Sequence, residues 1–294
     1  MELYEKLLCP LCRAPLHREE NALVCENVER RHCYDLAKSG YVNLLPPGKG
    51  KNSHTGDDKE MIAARTRFLD KGHYFAISKR AAELTASAVT NGGDRLTVID
   101  CGCGEGYHTC NILKTFEDAS ADTDMIAFDA SKHGCDRGSK RALFGGYSPK
   151  NTDGCRAVFS VGNIFSMPIG DGIADAVVSM FAPIPGAEAA RCLKRDGILA
   201  VISAGERHLF ELRELLYDTP RESGGNVEVP KGFVEESFER LTYPFTVTGS
   251  DGLWDLFTMT PFYYRTSPAD SKKLQSVEVL TATADVKITL FRKK

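Results

Sequence analysis

The sequence predicts an α/β protein, an open parallel sheet with helices on both faces, preceded by a small cysteine-rich domain. Three observations predict it. Leu96 to Ile99 is a β-branched apolar run that ends in Asp100, with glycines at 102, 104 and 106 and a helically spaced stretch from His108 to Phe116. That order is a buried strand, a tight turn and a helix start. Short apolar runs then alternate with helix-like segments over the rest of the chain. Finally, four of the ten cysteines crowd into the first 33 residues, while the other six are scattered like small core residues.

In chain order, residues 1–45 form the first unit, with Cys9-Pro10-Leu11-Cys12, Cys25 and His32-Cys33. Cys-x-x-Cys on a turn presents two thiolates to one tetrahedral ion, and a structural zinc site needs two more such ligands. Cys25 is the third. His32 and Cys33 compete for the fourth place, and spacing leaves both open. A redox pair would open a helix after a strand; Pro10 and Pro15 around Cys9 and Cys12 suit a loop instead. So short a segment has too little core to fold unaided, and a bound zinc ion supplies the missing staple.

Residues 46–56 lack apolar side chains and are dense in Gly, Pro and polar groups, the composition of a flexible linker. Its Lys49 and Lys51 could contact phosphates, although a solvated linker is the commoner use of such a stretch. The large domain is then 57–294. Asp57-Asp58 cap a helix to about Asp70 with Met61, Ala64, Phe68 and Leu69 on its apolar face. Gly72-His73-Tyr74 breaks it, and a second helix runs from about Phe75 to Val89, so both helices lead into the first strand and cover the glycine turn. Tyr74 at the junction either stacks on a ligand or packs.

Further strands are expected at Met125–Asp129, Ala157–Val161, Ala174–Met180, 197–203, 241–248 and 282–291. Helices are expected from Ser131, at 187–193, at 207–217, at 254–259 and at 271–276, with an irregular stretch opening at Gly224-Gly225.

The glycine turn carries the chemistry. Glycine lets a backbone approach a ligand without a Cβ in the way. A dinucleotide fingerprint would place its third glycine at Tyr107, one position after Gly106. The spacing therefore argues against NAD and for the Gly-x-Gly-x-Gly loop of S-adenosylmethionine-dependent methyltransferases. Asp129 ends the next strand, 23 residues beyond Gly106, where an acid accepts hydrogen bonds from the ribose hydroxyls of a nucleoside cofactor. The competing role for Asp129 is to cap the helix that starts near Ser131. Asp100, Gly102, Gly104, Gly106 and Asp129 are the cofactor-site residues this pattern gives, with Asp100 ordering the loop. The whole is a Rossmann-like seven-stranded methyltransferase sheet.

Composition sets the class. With 42% hydrophobic and 26% charged residues and a net charge of −3, the chain is an ordinary globular protein without a strongly cationic coat; a local basic face for nucleic acid stays open. No apolar run reaches the roughly 18 residues that span a bilayer, and residues 1–6 lack a signal-peptide pattern. A reduced, cytoplasmic protein with no membrane partner is expected.

Several stretches together resemble one family, the bacterial 23S rRNA (guanine-N1)-methyltransferases known as RlmA. They are Cys9–Cys12, residues 37–45 (Ala-Lys-Ser-Gly-Tyr-Val-Asn-Leu-Leu), residues 68–74 (Phe-Leu-Asp-Lys-Gly-His-Tyr), the glycine loop with Glu105-Gly106-Tyr107, Arg207-His208-Leu209, and residues 259–262 (Met-Thr-Pro-Phe). The resemblance spans nearly the whole chain. It implies a substrate, N1 of a guanine in a hairpin loop of 23S rRNA, and an RNA-gripping zinc module. By position it implies zinc ligands Cys9, Cys12, Cys25 and His32, and cofactor contacts at Tyr74, Gly104, Glu105 and His208. The interval from Cys25 to His32 is wider than the family's usual spacing, but His32 precedes the aromatic–Asp pair Tyr34-Asp35 in the matching way.

Phe181-Ala182-Pro183 resembles the family's aromatic–Ala–Pro step after the fourth strand, and Phe181 is the candidate platform for a base taken out of its stack. Glu105, His208 and Asp175 have the right chemistry to take the N1 proton, but none is assigned that role. A homodimer is left open. Two other classes stay in view: a methyltransferase for a small molecule, disfavoured by the zinc module and linker, and a catalytically silent RNA-binding module, disfavoured by the glycine loop and Asp129.

Overall fold

A computed structural model of the protein describes residues 2–46, 56–89, 95–222, 224–225 and 227–294. The expected linker with Lys49 and Lys51 lies almost wholly outside the described residues.

The first unit is a three-stranded antiparallel sheet, β1 (Leu16–Glu19), β2 (Ala22–Cys25) and β3 (Cys33–Asp35). A two-residue strand, β4 (Val42–Asn43), follows and leaves that unit. It pairs in parallel with a strand of the large sheet, Val42 against Ser160 and Asn43 against Val161.

Helices α1 (Lys59–Leu69) and α2 (Phe75–Ala88) come next. The Asp58 side chain accepts from the Glu60 and Met61 N–H groups, the N-cap the sequence called for. The α/β alternation then runs β5 (Leu96–Cys101), α3 (Tyr107–Asp118), β6 (Thr123–Asp129), α4 (Lys132–Phe144), β7 (Arg156–Val161), β8 (Ala174–Met180), α5 (Gly186–Cys192), β9 (Leu193–Ala204), α6 (Phe210–Leu216), β10 (Phe233–Thr248), α7 (Ser250–Thr258) and β11 (Val279–Lys293). The large sheet has the order β10-β11-β9-β8-β5-β6-β7-β4. Strands β4 to β9 are parallel, and β11 and β10 are antiparallel additions. The seven expected strands are present, and β4 adds an eighth at the far edge.

Alternation along the strands decides what covers each face. Val98, Met125, Ala127, Phe159, Val178 and Ala200 face a core built with α1 to α4 and α6 to α7. Ile99, Ile126, Val158, Val177, Leu199 and Val201 face the other way, and there Leu3, Tyr4, Leu7, Leu16 and Leu23 of the cysteine-rich unit pack on them. The Arg13 guanidinium donates to the Met167 and Ile169 carbonyls at 2.8 and 2.7 Å, and Lys6 pairs with the buried Asp124 at 2.7 Å.

Four elements differ from expectation for local reasons. The helix expected from Arg207 starts only at Phe210, because residues 205–209 wrap around Asp285. Gly205 N–H donates to the Asp285 carbonyl, Arg207 N–H to its carboxylate and Leu209 N–H to the Thr283 carbonyl. Strand β10 begins eight residues before 241, since β11 pairs with it back to Phe233. The turn at 194–197 is absorbed into β9. Between 268 and 276 a four-residue helical turn is followed by a 3-10 turn rather than one helix.

Candidate metal centre and cofactor crevice

Two sites emerge. In the first, Cys9, Cys12, Cys25 and His32 bring three Sγ atoms and one imidazole nitrogen within 4.8 Å of one another. His32 Nδ1 lies 3.4, 3.6 and 3.5 Å from the sulfurs of Cys9, Cys12 and Cys25, and Cys12 and Cys25 are 4.0 Å apart. A tetrahedral zinc ion with ordinary Zn–S and Zn–N bond lengths has S···S edges of about 3.7 Å and S···N edges of about 3.5 Å. These distances lie near those edges, so the four atoms need little adjustment to take such an ion. Outer contacts orient them: His32 N–H donates to Cys25 Sγ at 3.1 Å, and the Tyr34 hydroxyl lies 3.1 Å from Cys9 Sγ. Cys33, the rival fourth ligand, is exposed on β3 and outside the group. His32 lies just before β3 and turns into the group, whereas Cys33, the first residue of the strand, is exposed.

The second site is the crevice beyond the carboxyl ends of β5, β6 and β8, where open α/β sheets bind ligands. The three glycines of the turn have φ of +83, +53 and +78°, the left-handed region that favours glycine. Their roles differ. A Cβ on Gly102 would sit 2.5 Å from the Ala182 side chain, and one on Gly106 would sit 2.6 Å from Gly138 Cα of α4. Gly102 thus lets the 181–183 loop close in, and Gly106 lets α4 pack. At Gly104 the only atom among the described residues within 4 Å of such a Cβ is Arg65 Nη1, at 3.3 Å.

Asp129 binds the turn: one carboxylate oxygen accepts from Gly104 N–H at 2.9 Å, and the other accepts from Ser131 N–H at 2.7 Å. The cap of α4 is the Ser131 side chain, not Asp129. Asp100 lies beneath, buried, accepting from Thr109 Oγ1 at 2.6 Å and so tying β5 to the first turn of α3. Burial pushes its pKa up to about 7. Glu105 is equally buried and accepts from Tyr107 N–H at 3.2 Å; burial raises its pKa, opposed by Arg65.

Tyr74 and His208 meet beside this turn at 3.0 Å. Asp285 N–H donates to His208 Nδ1 at 3.2 Å, so Nδ1 carries the lone pair. Burial holds the ring neutral, pulling its pKa down to about 4. The proton therefore sits on Nε2 and is donated to the Tyr74 oxygen, which leaves the phenol proton for another acceptor. Phe181 completes the group. Its ring stacks on His208 at 5.5 Å and an interplanar angle of 29°, and lies 5.9 Å from Tyr74. It is 40% exposed and has φ +52°, a strained conformation for a residue with a Cβ.

The pattern-derived residues and the aromatic pair thus gather at one end of the sheet. Asp175 does not belong to it: it accepts from Thr97 N–H and Lys194 near the opposite ends of the strands. Sequence reading missed Arg65 and His108. Arg65 breaks the Met61–Ala64–Phe68–Leu69 stripe at a position where an apolar residue is expected, which was a signal. His108, in the first turn of α3, is held at 2.7 Å by Ser78 and lies 6.3 Å from the Phe181 ring.

Residues 7–54 match the family model described as RlmA, N-terminal, a zinc ribbon. The chain is 34% identical over 211 residues to the 23S rRNA (guanine(748)-N(1))-methyltransferase of Streptomyces fradiae, which covers 71% of this chain and 67% of that protein. It is 30% identical over 312 residues to a protein of Micromonospora griseorubida (99% and 98% covered). A protein of Bacillus subtilis strain 168 is also 30% identical, over 291 residues (97% and 96%). The last two carry the 23S rRNA (guanine-N(1)-)-methyltransferase name provisionally.

Proposed function

The chain belongs to the 23S rRNA (guanine-N1)-methyltransferase family, and from that premise we propose that its crevice holds S-adenosylmethionine beside a guanine of a 23S rRNA hairpin loop. The observation that carries the reading is the glycine turn closed by Asp129, with the Tyr74–His208–Phe181 group against it.

The residues present fit the cofactor. A carboxylate offers about four acceptor positions, and Asp129 uses two on backbone N–H groups, which leaves acceptors for a ribose diol. Gly104 presents backbone with no side chain of its own. Tyr74 brings a hydroxyl proton, and Glu105 a buried acid. When bound, S-adenosylmethionine supplies a methyl group on a sulfonium, an electrophile that needs alignment more than activation.

The protein's own work is then to hold a base that has left its stack. Phe181, strained outward at the end of β8 and backed by His208, offers an aromatic face for it. Guanine N1 must also lose its proton. His208 is unsuited to take it, because its Nδ1 lone pair already accepts a backbone N–H and Nε2 already bears a proton. Asp175 is excluded by position.

Cys9, Cys12, Cys25 and His32 hold a structural zinc ion that fixes the 1–45 unit, the part of the chain proposed to grip RNA. No described helix is long and apolar enough to cross a membrane; an rRNA substrate sets the compartment as the cytoplasm. Incubation with unmodified large-subunit rRNA and S-adenosylmethionine, followed by digestion to nucleosides, tests the reading: 1-methylguanosine supports it, and its absence refutes it.

A further inference from the structure

We propose that Arg65 holds the amino-acid carboxylate of S-adenosylmethionine, an inference that rests on the cofactor reading above. Arg65 comes from α1, on the apolar side of that helix, and its side chain is largely covered. Its Nη2 is fixed by the Asp57 carboxylate at 2.5 Å and the Met259 carbonyl at 3.2 Å. Asp57 is itself held, since Ser131 Oγ donates to its carbonyl at 2.6 Å. The other terminal nitrogen, Nη1, is directed at the turn and stands 3.3 Å from the Cβ position of Gly104. A guanidinium anchored at one nitrogen and aimed at a glycine turn with the other is preorganised for an anion lying along that turn.

Charge complementarity selects which anion. Zwitterionic S-adenosylmethionine has a single anionic group, its carboxylate, besides the ammonium and sulfonium cations. Glu105 and Asp129 line the same turn and suit the cationic and hydroxyl parts of that ligand. Alone, they would repel its carboxylate. Arg65 is a cation that offsets those carboxylates beside Gly104, and burial does not neutralise it, because Asp57, Glu105 and Asp129 all favour its charged form. The neighbouring cation, Arg141, spends Nη1 on Asp70 at 2.8 Å and Nε on the Glu105 carbonyl at 3.3 Å and lies over the face of Tyr107; its buried Nη2 has no partner among the described residues, which makes Arg141→Gln the necessary control.

The test compares calorimetric binding of S-adenosylmethionine with that of decarboxylated S-adenosylmethionine, which lacks only the carboxylate. The full-length protein is expected to bind the complete cofactor about 10- to 100-fold more tightly, the range for hydrogen bonds to a charged group. Arg65→Gln should bring the two ligands within about threefold of each other, by weakening the complete cofactor alone, while Arg141→Gln keeps the gap. A gap that survives in Arg65→Gln overturns the assignment, as does a folded Arg65→Gln protein that has lost both ligands alike. A wild-type protein that binds neither refutes the cofactor reading itself, and the Arg65 inference with it.

Discussion

The Tyr74 hydroxyl stands 3.0 Å from His208 Nε2, although the two residues are 134 positions apart in sequence. With Nδ1 of that imidazole taken by Asp285 N–H, Tyr74 must accept from His208, and its own proton is free for the cofactor. Tyr74→Phe removes that proton and strands a buried Nε2–H. We expect cofactor affinity to fall about 3- to 10-fold and stability to fall by about 1–3 kcal/mol. Titration calorimetry and urea denaturation measure the two effects; an unchanged affinity contradicts the role of the hydroxyl.

Two histidines, buried His208 and partly buried His108, set a pH dependence with a definite sign. Unfolded His208 binds a proton near pH 6.5, whereas burial lowers its folded pKa to about 4. Between these values protons favour the unfolded chain, so stability is full above about pH 6.5 and declines as the pH falls toward 4, by up to about 3 kcal/mol. His108, pulled to about 3 by burial with help from Arg65 and Arg141, adds a loss of the same sign. Denaturation midpoints across pH 7.5 to 4 should follow this course, with a shallower one for His208→Asn. A flat profile in the wild type would mean that the imidazoles are not held neutral.

Zinc content separates the ligands from their neighbour. Purified protein should carry about one equivalent of zinc, and Cys12→Ser or His32→Ala should lose most of it. Cys33→Ala should keep it, because Cys33 lies outside the cluster. Chelation should loosen the 1–45 unit before the large sheet, which hydrogen exchange would resolve. Full zinc in His32→Ala would break the ligand set.

The glycines of the turn should fail in different ways. Gly106→Ala places a Cβ at φ +78° and 2.6 Å from Gly138 Cα, so it should destabilise the fold by about 1–3 kcal/mol. Gly104→Val shares the left-handed strain, at φ +53°, but among the described residues its Cβ meets only the end of the Arg65 side chain, at 3.3 Å; it should cost less stability than Gly106→Ala and should no longer bind cofactor. Thermal melts paired with binding assays check this; equal melting temperatures for the two variants would count against it.

Much of this arrangement was legible in the chain itself. Asp129 and the glycines announce themselves because a strand end, a turn and a helix start each constrain neighbouring residues. Cys9, Cys12 and Cys25 are equally plain. His32 and Cys33 are adjacent, and only the folded backbone, which turns His32 into the group and leaves Cys33 exposed, tells them apart. Strand β4 is invisible because two residues carry no periodicity; it forms because β7 offers an unpaired edge. The Tyr74–His208 contact and the Asp285 tautomer lock are long-range facts, absent from any local pattern. Arg65 lies between these cases: its interruption of an apolar stripe is visible, while what it faces is not.

Primer extension tests the central claim most directly. A methyl group on guanine N1 replaces the proton used in Watson–Crick pairing, so reverse transcriptase halts beside the modified base. Unmodified 23S rRNA treated with the protein and S-adenosylmethionine should give one new stop next to a guanine in a hairpin loop. That stop should be absent without the cofactor and absent with Gly104→Val. If the protein binds the cofactor and methylates a small molecule while the rRNA stays readable throughout, the claim is wrong.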